Sequence, residues 1–426
     1  MNINKFLSLI YLLFSLSILS YIFYKSEIVH DGKIDYTLKY IFGFFTIFFS
    51  LIFIKLNETL KKNISILIFV TFSCLIIVDI YLYKFQFQSV GKYDEKHRVN
   101  FFENYKKKND ENVTMVITPY NFLNEDKKIF PLSGLSNRTT IYCNENGYYS
   151  VYKSDRYGFN NDDDVWNKKD INTLLIGDSF IHGACVNRKD TIANNLKILS
   201  KEEVINLGMG STGPLLQLAI LNEYGSLINF KNLIWFYFEG NDPEELNSEL
   251  SDDILIKYFD KDKFSQNLID RNSEKDEFLE IFFKKEFLKT KQKINKKDEN
   301  IYFKFFKLFH LRIFMNSLMN HQKADFIKLS QIFQKAKSIT SKKNVNFYIV
   351  YMPTYKRYKN NHKKYQNFKK ELIKISGDLN IKFIDIEKIF KSQDPLRFFP
   401  EGGGHYNEKG YLAVSKFIFE EMKKEK

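Results

Sequence analysis

Three long apolar segments dominate the first part of the chain. They cover Phe6–Tyr24, Tyr40–Ile54 and Ile64–Tyr83, and their lengths approach the ~20 residues that a helix needs to cross a bilayer. The second segment lies between Lys39 and Lys55, whose long side chains can reach the two membrane interfaces. No small-residue cleavage site follows the first segment, which favours a retained helix over a removed signal peptide. The pattern therefore predicts three transmembrane helices.

The membrane region, residues 1–84, is expected to leave the rest of the chain on the outer side of the membrane. The two loops between the apolar segments carry nearly equal numbers of basic residues, so they do not decide the orientation. Lys5 precedes the first segment and favours a cytoplasmic N-terminus. An odd number of spans then puts the C-terminal part on the extracytoplasmic side, which is the periplasmic side of an inner membrane.

Beyond the membrane region, two patterns follow one another. Residues 85–170 are polar with short β-like stretches, such as Val113–Ile117 and Thr139–Cys143, and predict a small β-rich lead-in. From residue 171 onward, apolar runs alternate with helical patterns such as Pro214–Tyr224. The runs that predict strands are Thr173–Ile176, Val204–Leu207, Leu233–Phe238, Val345–Met352 and Phe383–Ile386.

The alternation predicts an α/β domain over residues 171–426. Strands that alternate with helices are typical of right-handed βαβ units and a parallel sheet. A charged stretch with helical spacing, at about residues 244–340, interrupts the alternation after the third predicted strand. We interpret it as a helical insertion, with three alternatives: a lid, a membrane-facing cap or a plain structural addition.

Composition and charge narrow the functional classes. The 426 residues are 44% hydrophobic, which is enough to bury a full core, and the net charge is +13. The basic residues are thinly spread and show no zinc-finger spacing or compact basic helix, so nucleic-acid binding is not expected. The charge is interpreted as a lysine-rich solvated surface rather than as a face for anionic headgroups or an acidic polymer.

The three cysteines do not have the spacing of a metal site. Cys74 lies in an apolar segment. Cys143 and Cys185 leave two alternatives, a disulfide near the serine turn in an oxidising compartment or two unrelated free thiols.

Polar and glycine-rich blocks follow the predicted strands and precede the last helix. They are Gly177-Asp178-Ser179, Asn206–Gly213, Gly240-Asn241-Asp242 and Gly404-His405-Tyr406-Asn407. Because the carboxyl ends of parallel strands share one edge of the sheet, these blocks are expected to converge there. The sequence thus predicts a site at that edge.

The residue types in these blocks suit acyl transfer. A serine nucleophile, Ser179, needs a base, and His405 can take its proton. A tetrahedral intermediate needs preorganised donors for its oxyanion, each worth roughly 3 kcal/mol. The Ser179 N–H, an N–H of the Gly210-Ser211 turn and the Asn241 amide are the candidates. His182 is interpreted as a helix-face residue or a substrate contact.

The four blocks together resemble the SGNH, or GDSL-like, hydrolase family. The resemblance covers about residue 172 to the C-terminus and implies a flavodoxin-like three-layer α/β/α fold. It also implies a serine esterase or O-acyltransferase without a metal or organic cofactor. The membrane lead-in and the run Gly404–Tyr411 are most similar to members that act on cell-surface polysaccharides.

Two positions depart from the family pattern. The family usually has an aspartate three residues before the histidine, and Gly402 stands there. Glu401 is the nearest replacement, Asp394 is a more remote one, and a Ser–His dyad with a backbone carbonyl is a third alternative. For the oxyanion glycine, the family spacing favours Ser211 and the residue identity favours Gly210.

Two functional hypotheses follow. The first is a membrane-anchored serine esterase or O-acyltransferase that acts on acyl groups of an envelope glycan or lipid. The second, which the absent aspartate favours, is an inactive domain that binds or organises proteins of an envelope polysaccharide assembly. The expected partners are the lipid bilayer and an acylated glycan or lipid substrate.

Overall fold

The chain folds into two compact units. One comprises Met1–Gln88 with Glu299–Met319, and the other comprises Ser89–Asp298 with Asn320–Lys426. The structure is a computed structural model that describes residues 3–29, 36–84, 95–109, 112–261, 263–295, 304–305, 307–319, 324–341, 344–360, 364–391, 394–400 and 404–424.

The first unit begins with three helices, each long and apolar enough to cross a membrane. They are α1 (Ile3–Phe23), α2 (Thr37–Lys55) and α3 (Glu58–Leu82), and a π-helical segment, Tyr24–Val29, extends α1. The Ser15 and Ser50 hydroxyls lie 2.6 Å apart between α1 and α2. Such small polar residues let apolar helices approach closely where no hydrophobic effect drives them together.

The remaining helices follow in chain order. They are α4 (Glu95–Asn109), α5 (Ser179–His182), α6 (Ile192–Ser200), α7 (Pro214–Glu223), α8 (Asp242–Glu249), α9 (Leu255–Asp260), α10 (Asn272–Asn295), α11 (Phe309–Met319), α12 (Phe326–Ser341), α13 (Tyr355–Asn360), α14 (Lys364–Asp378), α15 (Glu387–Lys391) and α16 (Glu408–Lys423). Short 3₁₀ turns are Pro119–Phe122, Asp163–Asn167, Arg188–Asp190, Gly225–Leu227 and Pro395–Phe398. Helices α8 to α12 form the predicted insertion, and α11 belongs to the first unit.

The strands form two sheets. They are β1 (Val113–Met115), β2 (Thr139–Ile141), β3 (Val151–Lys153), β4 (Ile171–Ile176), β5 (Val204–Asn206), β6 (Phe230–Phe238), β7 (Asn346–Met352) and β8 (Lys382–Asp385). The small sheet has the order β1-β2-β3, in which β1 and β2 are parallel and β2 and β3 are antiparallel. The large sheet is wholly parallel, with the order β5-β4-β6-β7-β8. The predicted α/β fold with a parallel sheet is confirmed.

Alternate residues of the large sheet enter two separate cores. Leu174 and Trp235 pack on one face with α7 and α12, whereas Leu175 and Phe236 pack on the other face with α6 and α16. Both faces are covered, so each strand is an almost continuous apolar run. The result is a three-layer α/β/α unit.

The strand order defines where a ligand can bind. The chain runs from β4 outward to β5 and then crosses to β6 on the opposite side of β4. In open parallel sheets, such a reversal opens a crevice at the carboxyl ends of the strands. The segment after β4, which contains Ser179, lies at this point.

Candidate active site

Ser179 opens the short helix α5 directly after β4. The intervening Gly177 is required by packing, since a Cβ there would lie 2.6 Å from Ile181 Cγ1 and 3.1 Å from Phe236 Cβ. The Asp178 side chain caps the helix by accepting the Phe180 N–H at 3.0 Å. Ser179 is thus in the first helical turn, where backbone N–H groups have no partner within the helix.

His405 pairs with the serine as the sequence predicts. Its Nε2 lies 2.8 Å from Ser179 Oγ, and its side chain is 23% exposed. His405 is fixed just ahead of α16, where the Asn407 side chain accepts the Gly410 N–H at 3.0 Å. The imidazole is therefore held against the serine while one edge of the site remains open.

The acid beside His405 is Glu145. Its Oε1 lies 2.9 Å from His405 Nδ1, and its Oε2 accepts the His405 backbone N–H at 2.7 Å. With Nδ1 donating to a carboxylate, Nε2 is left to accept the serine proton. Gly404 makes room for this contact: its φ is +116°, and a Cβ there would lie 2.4 Å from Glu145 Oε2.

The acid candidates from the sequence do not fill this place in the described part of the chain. Glu401 and Gly402 lie outside the described residues. Asp394 is exposed, and its carboxylate accepts the Leu396 N–H at 3.1 Å as a cap. Glu145 is not evident from the sequence because it lies in the polar Asn144–Gly147 segment, which is typical of a turn. The Asn144 side chain accepts the Gly147 N–H at 3.0 Å in that turn.

A disulfide joins the acid loop to the serine loop. Cys143 and Cys185 are bonded, with their Cα atoms 4.8 Å apart. The Asn146 side chain also donates to the Cys185 carbonyl at 3.0 Å. Of the two alternatives for these cysteines, the structure therefore has the disulfide, and that pairing was the one sequence signal that could have led to Glu145.

The same neighbourhood does not fit a metal ion. Glu145, Cys185 and His405 each offer a ligand atom within 4.8 Å of the others. The Cys185 sulfur, however, is bonded to Cys143, and a metal needs the thiolate. The glutamate and histidine in this group instead form a hydrogen-bonded pair with each other.

The second block packs directly on the serine turn. The Met209 N–H donates to the Gly177 carbonyl at 3.2 Å. The Thr212 hydroxyl donates to the Met209 carbonyl at 2.7 Å and also lies 3.3 Å from the Gly177 carbonyl oxygen. The Gly210 N–H donates to His182 Nδ1 at 3.1 Å, which removes Gly210 from the predicted oxyanion donors. Ser211 has a φ of +55°, and its N–H meets no acceptor among the residues that the structure describes. Ser211 is the remaining candidate in this turn.

His182 holds this turn in place by accepting the Gly210 N–H. It is fully buried, and its Nε2 lies 2.6 Å from the Tyr152 hydroxyl. Burial, with a smaller effect from the His405 charge, lowers the pKa of His182 to about 3. The ring is therefore neutral at physiological pH, so Nδ1 can accept the Gly210 N–H. Of the two expected roles, the position on a helix agrees with the structure, since His182 ends α5, whereas its buried ring is not placed to contact a substrate.

The third block approaches the site from β6. The Asn241 side chain donates one amide hydrogen to Glu245 Oε1 at 2.9 Å, and the amide has a second hydrogen. Asp242 Oδ2 accepts the Phe238 N–H at 2.9 Å. Burial raises the pKa of Asp242 and of Glu245, and the Asp178 charge raises both further. These acids tend to hold protons, which limits negative charge beside the serine.

All four blocks therefore meet at one edge of the sheet. The first and fourth share the Ser179–His405 contact, and the first and second share the Gly177 carbonyl. The residues that flank the first and third blocks, Phe180 and Phe238, are in contact, and their ring centroids are 4.6 Å apart. The arrangement is that of a nucleophile, a base and an orienting acid.

Known proteins resemble this chain only in remote fold comparisons. No family model matches, and no curated protein matches. A lipase/acylhydrolase from Enterococcus faecalis has a TM-score of 0.35 at 14% identity, with 60% of this chain and 96% of that chain covered. An acetyl xylan esterase has a TM-score of 0.35 at 12% identity, with 59% of this chain and 99% of that chain covered. A psychrotrophic esterase from Pseudoalteromonas sp. has a TM-score of 0.31 at 11% identity, with 60% of this chain and 98% of that chain covered. At such values, function has to be argued from the site itself.

Proposed function

We propose that the protein is a membrane-anchored serine esterase or O-acyltransferase of the SGNH type. The observation that carries the proposal is the continuous chain of contacts from Ser179 Oγ to His405 Nε2, at 2.8 Å, and from His405 Nδ1 to Glu145 Oε1, at 2.9 Å. A nucleophile hydrogen-bonded to a base, with the base oriented by a third group, is the recognisable geometry of covalent acyl transfer.

The reaction proceeds in two halves. Ser179 Oγ attacks the ester carbonyl carbon while His405 Nε2 takes the serine proton, and the Glu145 carboxylate stabilises the resulting imidazolium. The intermediate collapses, the C–O bond to the alcohol breaks, and Nε2 returns the proton to that leaving oxygen. Water or a sugar hydroxyl then attacks the acyl carbon of the acyl-serine and gives its proton to Nε2. The bond from that carbon to Ser179 Oγ breaks, Nε2 returns the proton to Oγ, and the free acid or a new ester leaves.

Three donors would stabilise the tetrahedral oxyanion. They are the Ser179 N–H, the Ser211 N–H and the second amide hydrogen of Asn241. A donor that points at developing negative charge in a site with little water typically contributes about 3–4 kcal/mol to the transition state. No metal or organic cofactor enters this scheme.

The three long apolar helices support the proposed substrate class. Three helices suited to membrane crossing precede the catalytic unit, which favours an acylated glycan or lipid held near the bilayer. Disulfides such as Cys143–Cys185 persist in oxidising compartments, which supports the predicted extracytoplasmic, periplasmic side for the catalytic unit. The alternative of an inactive scaffold rested on the absent aspartate, and the contact between Glu145 and His405 supports the enzyme instead.

The proposal is tested by covalent labelling. The purified full-length protein is incubated with a fluorophosphonate, which reacts only with an activated serine, and the adduct is located by peptide mass spectrometry. We expect one adduct, on the peptide that carries Ser179, and none after the protein has been heat-denatured. A native protein that remains unlabelled, or an adduct on another serine, would refute the proposal.

Removing the His182 ring nitrogen is expected to slow catalysis without weakening binding. In His182→Leu the Gly210 N–H loses its acceptor, the Ser211 turn shifts, and kcat for an aryl ester should fall about 10²-fold with KM nearly unchanged. His182→Asn is the matched variant, since its side-chain oxygen can occupy the place of Nδ1 and should restore much of kcat. Equal losses in both variants would mean that His182 only fills space.

A further inference from the structure

A buried acid, Asp79, links helix α11 to α3, the third of the three long apolar helices. Asp79, near the end of α3, is fully buried. Its carboxylate lies 2.9 Å from His310 Nδ1 and accepts the Leu311 N–H at 2.6 Å. Both partners lie at the start of α11, so the acid binds that helix terminus by its backbone as well as by a side chain. An ionisable group near the end of a membrane-crossing segment normally marks a specific contact.

Aromatic rings surround this contact. The Tyr83 ring lies 4.9 Å from the His310 ring and 5.5 Å from the Phe305 ring, measured between centroids. Tyr81, in the last turn of α3, is 60% exposed. Tyrosine rings are enriched where a membrane helix leaves the hydrocarbon and meets the headgroups. The start of α11 is therefore at the level of the membrane interface if α3 crosses the bilayer.

The outer face of α11 is apolar although no protein covers it in the described part of the chain. Phe309, Ile313 and Met315 are 42%, 38% and 44% exposed. The exposed Arg312 lies among them, and its long side chain can reach a phosphate while its stem stays in apolar surroundings. The same unit has a further exposed apolar surface on α3, which includes Ile77 and Ile80.

We propose that α11 is a membrane-interface helix whose outer face, formed by Phe309, Arg312, Ile313 and Met315, is covered by lipid. The three apolar side chains enter the upper acyl region and Arg312 meets the headgroup phosphates, as in other amphipathic helices that lie along a membrane surface. The chain enters and leaves α11 between β6 and β7. The insertion is thus a second membrane attachment of the catalytic unit, in addition to the N-terminal helices. This inference does not depend on the proposed chemistry.

The test measures lipid contact at single positions of the full-length protein. Cys74 is the one free cysteine among the described residues, so Cys74→Ser provides the background for Ile313→Cys, labelled with bimane. Ile198→Cys is the matched control, since Ile198 is an exposed isoleucine on α6 in the other unit. Ile77→Cys reports on α3. Each protein is reconstituted in phosphatidylcholine–phosphatidylglycerol vesicles whose acyl chains carry a nitroxide near the headgroup.

We expect the label at position 313 to lose most of its emission to the nitroxide, the label at 77 to be quenched, and the label at 198 to keep its emission. Met315→Cys repeats the measurement if Ile313→Cys does not fold. A label at 313 that is quenched no more than the label at 198 would overturn the proposal, whether water or another protein surface covers the face. If the label at 77 also keeps its emission, α3 is outside the bilayer and the proposal fails with it.

Discussion

Replacing Glu145 by glutamine is expected to lower kcat for ester turnover by about 10⁴-fold, as loss of the acid does in serine triads. The substitution keeps the size of the side chain but removes its charge. Glutamine can donate to His405 Nδ1, which leaves the proton on Nε2 and prevents the ring from accepting the serine proton. The imidazolium formed during the reaction also loses its stabilising carboxylate. KM should change little, because Glu145 contacts the histidine and not the substrate.

Two further variants make this result specific. Glu401→Gln alters the nearest acid that precedes His405 in the sequence, and it should leave kcat within a few-fold of the wild-type value. Glu408→Gln changes a carboxylate that accepts the Tyr148 hydroxyl and controls for the general loss of negative charge. If Glu401→Gln were the damaging change and Glu145→Gln were not, the assignment of the acid would be reversed.

Ser179→Ala is expected to abolish turnover, with a loss of about 10⁶-fold in kcat, because no acyl-enzyme can form. The alanine removes one oxygen from a site with an open edge, so the protein should fold normally. It should also bind an acylated ligand with nearly unchanged affinity, since the backbone donors at Ser179 and Ser211 remain. Binding can be followed by calorimetry and turnover by release of an aryl alcohol.

Ser200→Ala, in the last residue of α6, is the matched serine control and should retain wild-type turnover. Residual activity in Ser179→Ala above the level of a heated sample would mean that another group is the nucleophile. A folded Ser179→Ala protein that no longer binds ligand would instead show that the hydroxyl contributes mainly to recognition.

The parallel sheet was predictable because its strands are buried on both faces. Leu233–Phe238 is apolar throughout and Val345–Met352 is apolar except for Asn346. They lie in the adjacent strands β6 and β7 with Leu233 opposite Phe347. Such runs, separated by helical patterns, leave few alternatives to a parallel sheet. The contact between Ser179 and His405 was predictable for a related reason, because segments at the carboxyl ends of parallel strands lie at the same edge of the sheet.

The remaining parts of the site depend on contacts that have no local signature. Glu145 lies 260 residues from His405 in the sequence, in a turn whose polar residues are already explained by turn chemistry. Gly210 has the residue identity expected of an oxyanion donor, yet a neutral buried histidine binds its N–H. Which acceptor a backbone N–H finds is decided by tertiary packing, and one chain alone does not reveal it.

The Cys143–Cys185 bond ties the geometry of the proposed site to an event after synthesis, the oxidation of two thiols. Without this bond, the loop that bears Glu145 is connected to the serine loop by noncovalent contacts, such as the hydrogen bond from Asn146 to the Cys185 carbonyl and the apolar packing of Tyr142 with Ala184. Oxidation closes a covalent ring that contains both Glu145 and Ser179. The two cysteines that close it are 42 residues apart in the sequence. In the reduced chain the position of Glu145 beside His405 depends on noncovalent contacts alone, so the geometry of the proposed site is tied to the oxidation of two cysteines that lie far apart in the sequence.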